Sequence, residues 1–226
     1  MWYCSVPTSW LLRYPSVPEL DKGGRVSAPV AVAEQADPAQ GFHRRLLDGL
    51  AASIEERGYR ESTVADVVRH ARTSKRTFYD HFPSKEECFV ELLSTNNEVL
   101  VEALRVAIDP QAPWREQVRC AVSAYVHFIE ANPAITLSWI RELPALGEGA
   151  RPMLRRSFSR LASTLVELSA NPGFQRDGVK PLAGPTAVIL LGGLRELTAQ
   201  TVEDGEPVAG IIEPAVAAAT ALVGGA

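Results

Sequence analysis

The chain has 226 residues, a formal net charge of −4 and 46% hydrophobic residues, the profile of a globular protein that can bury a real core. A globally basic nucleic-acid binder is excluded, so any polyanion-binding surface has to be a local patch. The longest apolar run, residues 187–194, is far short of the roughly 20 residues that cross a bilayer, and the N-terminus lacks the pattern of an export signal.

Residues 1–40 contain five prolines and two glycines with no helical or strand period, and read as a flexible arm that cannot offset its own ordering entropy. A solvated tail, or a start codon assigned too far upstream, is the plain reading; an arm taking Arg13, Lys22 and Arg25 into a minor groove is the functional one. From Phe42 the pattern turns helical: Phe42, Leu46, Leu50 and Ile54 repeat every four residues, and Gly58 supplies a stop. Thr63 and Asp66 have capping-box spacing ahead of Val64, Val67, Val68 and Ala71, which predicts a short second helix. Arg72 and Thr73 leave room only for a tight turn. Ser74 then caps a third short helix that takes Phe78, Tyr79 and Phe82 inward and ends before Pro83. Ser84 and Glu87 form another capping box, opening a long helix to about Ala107.

Beyond it, helices are expected near 113–131, 133–142, 149–171, 183–203 and 207–223, punctuated by proline and glycine. No stretch alternates with period two long enough to make a strand. The fold class is all-α, about nine helices. Cys4, Cys88 and Cys120 are odd in number and share no CxxC spacing, so neither a disulfide framework nor a zinc site is expected, and a reduced cytoplasmic setting fits best.

Charge is segregated. Between Arg57 and Lys85 seven cations face three anions, a local excess of four on an acidic chain. Three short helices with a tight turn and a cationic third helix have the lengths of a helix-turn-helix, whose last helix enters the major groove. On that reading Phe78 and Phe82 anchor the recognition helix. Ser74, Lys75, Arg76 and Thr77 form its exposed first turn and meet base edges. Tyr79, His81 and Lys85 reach phosphate oxygens, and the backbone N–H groups at Thr63 and Val64 offer a further anion site.

The order T-V-A-D-V-V-x-x-A-x-T-S-x-x-T-F-Y-D-H-F-P-S-K-E-E over residues 63–87 resembles the signature of the tetracycline-repressor (TetR) family of bacterial transcription regulators, a resemblance that covers about residues 42–88. It implies a DNA-binding domain at 41–87 and a helical effector-binding and dimerisation domain at 88–226. It further implies a homodimer on a near-palindromic double-stranded operator, released by a small molecule, usually as a repressor. Arg72 departs from the glycine usual at that turn, a position that often needs φ > 0.

In the body, Tyr125, His127, Trp139 and Phe158 mix broad apolar surfaces with polar tips, as in a ligand pocket, and are the candidate effector-binding residues. An ordinary helical core would use the same residue types. The segments 187–199 and 215–223 are small and apolar around most of their circumference, so they are buried in a core or against a partner; the resemblance assigns them to a two-fold dimer interface. Serine-hydrolase, zinc-protease, phosphate-loop and dinucleotide motifs are all missing. An enzyme is therefore not expected, nor a catalytic residue, metal, cofactor or membrane partner. The remaining alternative is a helical small-molecule-binding or protein-interaction protein without sequence-specific DNA binding.

Overall fold

The computed structural model describes residues 38–225, which form ten α-helices and no strand. They are α1 (Pro38–Glu61), α2 (Val64–His70), α3 (Lys75–His81), α4 (Lys85–Ala107), α5 (Trp114–Ala131), α6 (Pro133–Arg141), α7 (Arg151–Leu168), α8 (Pro172–Arg176), α9 (Gly184–Glu203) and α10 (Ile212–Gly224), with 3-10 turns at Leu143–Leu146 and Val208–Ile211. The all-α reading holds. The arm expected at 1–40 lies, up to residue 37, outside the described residues.

Two expected elements differ. The helix expected at 149–171 ends at Leu168, and a separate five-residue α8 follows. Asn171 to Gly173 is therefore not a plain break but the entry to another helix, with Pro172 at its first turn, where a missing N–H costs nothing. The segment expected at 207–223 begins as a 3-10 turn before α10.

Helix ends follow the capping chemistry. Thr63 and Asp66 make the reciprocal box at α2. Ser74 Oγ accepts from Thr77 N–H at α3, and Ser84 Oγ accepts from Glu87 N–H at α4. Gly58 sits at φ 79°, ψ 163°, so α1 breaks where its apolar repeat stops. Gly49 allows α1 and α2 to cross closely, since a Cβ there would meet Val67 O at 2.6 Å.

The core falls into two clusters joined by α4. The lower one holds Leu46, Leu50, Ile54, Val67, Phe78, Phe82, Phe89 and Leu92 and extends to Ile135, Leu143 and Met153 of the body. The upper one begins at Leu100 and runs through α5, α7, α9 and α10. Between them α4 buries Asn96 and Asn97. The three-helix head is thus seated on the same apolar floor as the start of α6 and α7.

Candidate nucleic-acid interface and ligand cavity

The head is organised around two phenyl rings. Phe78 is fully buried and Phe82 nearly so, their centroids 5.8 Å apart. This fixes the rotation of α3 and leaves Ser74, Lys75 and Arg76 exposed. Thr77 is half-buried because its amide and hydroxyl both face Ser74 Oγ, at 3.1 and 2.9 Å. Ser74 and Thr77 therefore serve first as caps, and Lys75 and Arg76 are the fully presented donors of the turn.

Arg72 has φ 50°, the left-handed conformation expected at the turn. The turn is closed by Thr73 N–H donating to Val68 O at 3.0 Å, so the geometry is kept without glycine, at a cost of about 1 kcal/mol.

Tyr79 corrects one expectation. It is 57% exposed and meets Phe78 only edge-on, at 5.4 Å, so it does not point inward. Its position one residue after a fully buried phenylalanine turns it about 100° away from the core. His81 is half-buried and edge-on to His43, which itself contacts Phe82 and bonds to Glu91.

Lys85 is placed differently from the free phosphate donor expected. Its ammonium donates to Tyr59 O at 3.0 Å and Ser62 O at 2.9 Å and lies 4.2 Å from the centre of the Tyr59 ring. It ties the start of α4 to the α1–α2 junction. At the second anion site expected, the Thr63 N–H is already given to Asp66 Oδ2 at 3.1 Å.

Several other cations of the patch are engaged too. Glu56 accepts from Arg57, Arg69 and His70, and these contacts, Arg69 foremost, hold its carboxyl down at about 2. The hydrogen bond from Thr63 likewise lowers Asp66 to about 2. Arg60 pairs with Glu142 at 2.8 Å, a link from head to α6. Of the seven cations between Arg57 and Lys85, only Arg72, Lys75 and Arg76 have no ion pair or internal acceptor among the described residues. All three sit at the turn and the first turn of α3.

The body contains a cavity of about 510 Å³ lined almost entirely by hydrocarbon, including Leu104, Val118, Tyr125, Leu161, Leu194 and Leu222. Its polar members are already satisfied. Tyr125 hydroxyl bonds to Thr198 at 3.0 Å, and its own burial pushes it up to about 12. Gln117 is tied to Pro110, Ala112 and Asn171, and Ser169 to Val166 and Leu182.

Of the four effector-binding candidates, only Tyr125 lines this cavity. His127 is exposed, its Nδ1–H donating back to Ser123 O. Trp139 is half-buried against both core clusters. Phe158 lines a different groove, between α7 and α9. The cavity's true lining is mostly leucine, valine and alanine spread over five helices, residue types that one-dimensional periodicity cannot separate from core.

Residues 46–92 match the family described as bacterial regulatory proteins, tetR family. The chain is 24% identical over 136 residues to the HTH-type transcriptional regulator YhgD of Bacillus subtilis, covering 60% of this chain and 71% of that protein. It is 31% identical over 86 residues to the HTH-type transcriptional activator FasR of Mycolicibacterium smegmatis (38% and 39% of the two chains). With the HTH-type transcriptional repressor KstR2 of Mycobacterium tuberculosis it shares 32% over 120 residues (53% and 58%). The matches thus span less than two thirds of FasR and KstR2. Among solved structures, the fatty acid degradation regulator FadR from Bacillus halodurans superposes with a TM-score of 0.69 at 18% identity, covering 85% of this chain and 98% of that one. FadR from Bacillus subtilis in complex with stearoyl-CoA gives 0.67 at 18%, covering 80% and 98%. At that identity the two structures speak for the fold. The curated relatives are regulators rather than enzymes.

Proposed function

From the premise that the chain is a TetR-family DNA-binding transcriptional regulator, we propose that it works as a homodimer on a near-palindromic operator and lets go when an apolar small molecule fills the 510 Å³ cavity. The observation that carries this reading is the first turn of α3, where Lys75 and Arg76, without an ion pair among the described residues, stand outward over two buried phenyl rings. Lys75 and Arg76 read base edges, with Ser74 and Thr77 contributing what their caps leave free. Tyr79, His81 and the Val64 N–H contact phosphate, while Lys85 acts mainly by holding α4 in register. Residues 41–87 form the DNA-binding domain and 88–226 the effector and dimerisation domain, in a cytoplasmic protein.

Dimerisation is assigned to α9 and α10. Ile189 is 65% exposed on α9, and Gly192 and Gly193 have open space where a Cβ would stand. Two glycines inside a helix cost about 1 kcal/mol each relative to alanine, and nothing among the described residues packs where their side chains would stand. A second helix approaching that face would. Two heads would then stand about 34 to 36 Å apart, one turn of duplex.

The effector is expected to be a hydrocarbon chain or ring system, because the cavity offers no unsatisfied polar group to anything more polar. Stearoyl-CoA bound to FadR of Bacillus subtilis supports an acyl chain. Leu104 of α4 and Ile108 just beyond it line the cavity, and α4 starts at the recognition helix. A ligand that displaces this end tilts the head, and a ten-thousand-fold preference for one arrangement, about 5.5 kcal/mol, swings the population from 1:99 to 99:1. Repression is the proposed output: KstR2 is a repressor, whereas FasR, an activator, matches over a shorter stretch. The test is titration of a long-chain acyl-CoA into the operator-bound protein. Release of DNA supports the proposal; saturable binding with unchanged DNA affinity refutes the effector mechanism.

A further inference from the structure

We propose that the groove between α7 and α9 is a second binding site, separate from the apolar cavity, and that it takes a small amphipathic anion such as a long-chain carboxylate. The groove, about 780 Å³, is lined by Arg155, Phe158 and Val166 of α7 and by Val188 and Arg195 of α9. It shares no residue with the cavity, which uses other faces of the same helices, through Leu161 and Leu165 on α7 and Leu190 and Leu194 on α9.

The carrying observation is Arg195. It is half-buried, and its guanidinium makes one internal hydrogen bond, to the neutral carbonyl of Ile140 at 2.6 Å. Its sequence neighbour Glu196 is taken bidentately by Arg141, at 3.0 and 3.1 Å, and Arg141 also holds Glu203. Arg195 therefore faces a positive neighbour and has no ion pair among the described residues. Burial, and then Arg141, lower its pKa. A partly desolvated cation without a counter-ion is costly, and an anion from outside relieves that cost.

The second cation is Arg155, exposed and unpaired among the described residues, on the facing helix. Leu182 N–H donates to Ser169 Oγ at 2.8 Å, which sets the start of α9 beside the end of α7, so the two helices run antiparallel. Arg195, eleven residues into α9, then comes level with the first half of α7, where Arg155 lies. Both arginines therefore belong to one end of the groove, and the apolar floor of Phe158, Val166 and Val188 runs from there. Arg155 to Val166 spans eleven residues, about 16 Å of helix, room for an extended tail. At the far end Glu167 is held by Arg105 at 3.0 Å. Two planar guanidiniums at the head of an apolar trough match a carboxylate on a hydrocarbon chain.

The test uses the full-length protein with dodecanoate and its uncharged counterpart dodecan-1-ol in titration calorimetry. Wild type is expected to bind two dodecanoates per chain but one dodecanol. Arg155→Gln, an exposed change that leaves the fold intact, should weaken the second dodecanoate at least tenfold; Arg155→Gln with Arg195→Gln should abolish it and leave the first. The cavity-filling variant Ala121→Phe should lose the other site and keep this one. A wild-type stoichiometry of one, or unchanged dodecanoate binding in Arg155→Gln, overturns the proposal. So does a change of oligomeric state in Arg195→Gln with both dodecanoates still bound, which would give the groove to a second copy of the chain.

Discussion

Replacing Lys75 by glutamine should change the salt dependence of DNA binding, while replacing Arg69 should not. Each phosphate neutralised by a cation contributes about −0.9 to the slope of log affinity against log salt. The patch from Arg57 to Lys85 leaves three cations unengaged per head, so a dimer offers six, and that segment accounts for a slope of about −5 and a loss of about a thousandfold in affinity between 50 and 200 mM salt. If all seven cations of each head reached DNA, the slope would be about −13. Lys75 is exposed and without an ion pair among the described residues, whereas Arg69 is committed to Glu56 at 3.0 Å. Lys75→Gln removes one contact per head if it reaches phosphate as well as base, a change of about 1.8 in slope for the dimer; Arg69→Gln leaves the slope where it was. Fluorescence anisotropy of a labelled operator across that salt range reads both. Equal reductions in the two variants would refute the division of the patch into engaged and presented cations.

Arg72→Gly should stabilise the protein by up to about 1 kcal/mol in urea unfolding, because φ 50° is free for glycine and strained for arginine. Lys85→Met should destabilise by about 2 kcal/mol, since two backbone carbonyls lose a charged donor, and it should leave the salt slope of DNA binding unaltered. Glu56 has a folded-state pKa depressed to about 2, so its contribution is full above the ordinary carboxylate range and is lost as pH falls from about 4.5 through 2; Glu56→Gln should flatten acid unfolding in that window, followed by circular dichroism. Ala121→Phe should cut binding of an acyl-CoA at least tenfold while DNA affinity stays within twofold, measured by calorimetry and anisotropy.

The head was largely legible because its determinants are local. Thr63 with Asp66, Ser74 with Thr77, and Phe78 with Phe82 act over three or four residues, the reach of a capping box or a helical turn, and Arg72 fills the one turn position that requires φ > 0. Lys85 was misplaced because its partners, Tyr59 O and Ser62 O, lie 26 and 23 residues back in the chain, and a lysine beside a recognition helix reads equally well as a phosphate donor. Tyr79 reads as inward in the sequence because it stands between aromatics, although a helix can hide only some of three such neighbours. The cavity was illegible for a different reason: its walls are Leu, Val and Ala from α4, α5, α7, α9 and α10, and whether such residues meet or leave a gap depends on how helices cross, not on their order. Phe158 does face a groove, but a cationic one whose character comes from Arg195, a residue made conspicuous only by Arg141 taking its neighbour's charge.

The most direct test of the central claim is selection of bound duplexes from a random pool, run with wild type and with Arg76→Ala. The account predicts a two-fold symmetric consensus for wild type. For the variant it predicts the same half-site spacing with preference lost at one or two base pairs per half-site, a penalty of about 1 to 3 kcal/mol on the cognate sequence. A wild-type pool without symmetry, or an Arg76→Ala pool whose preferences match wild type at every position, would contradict it.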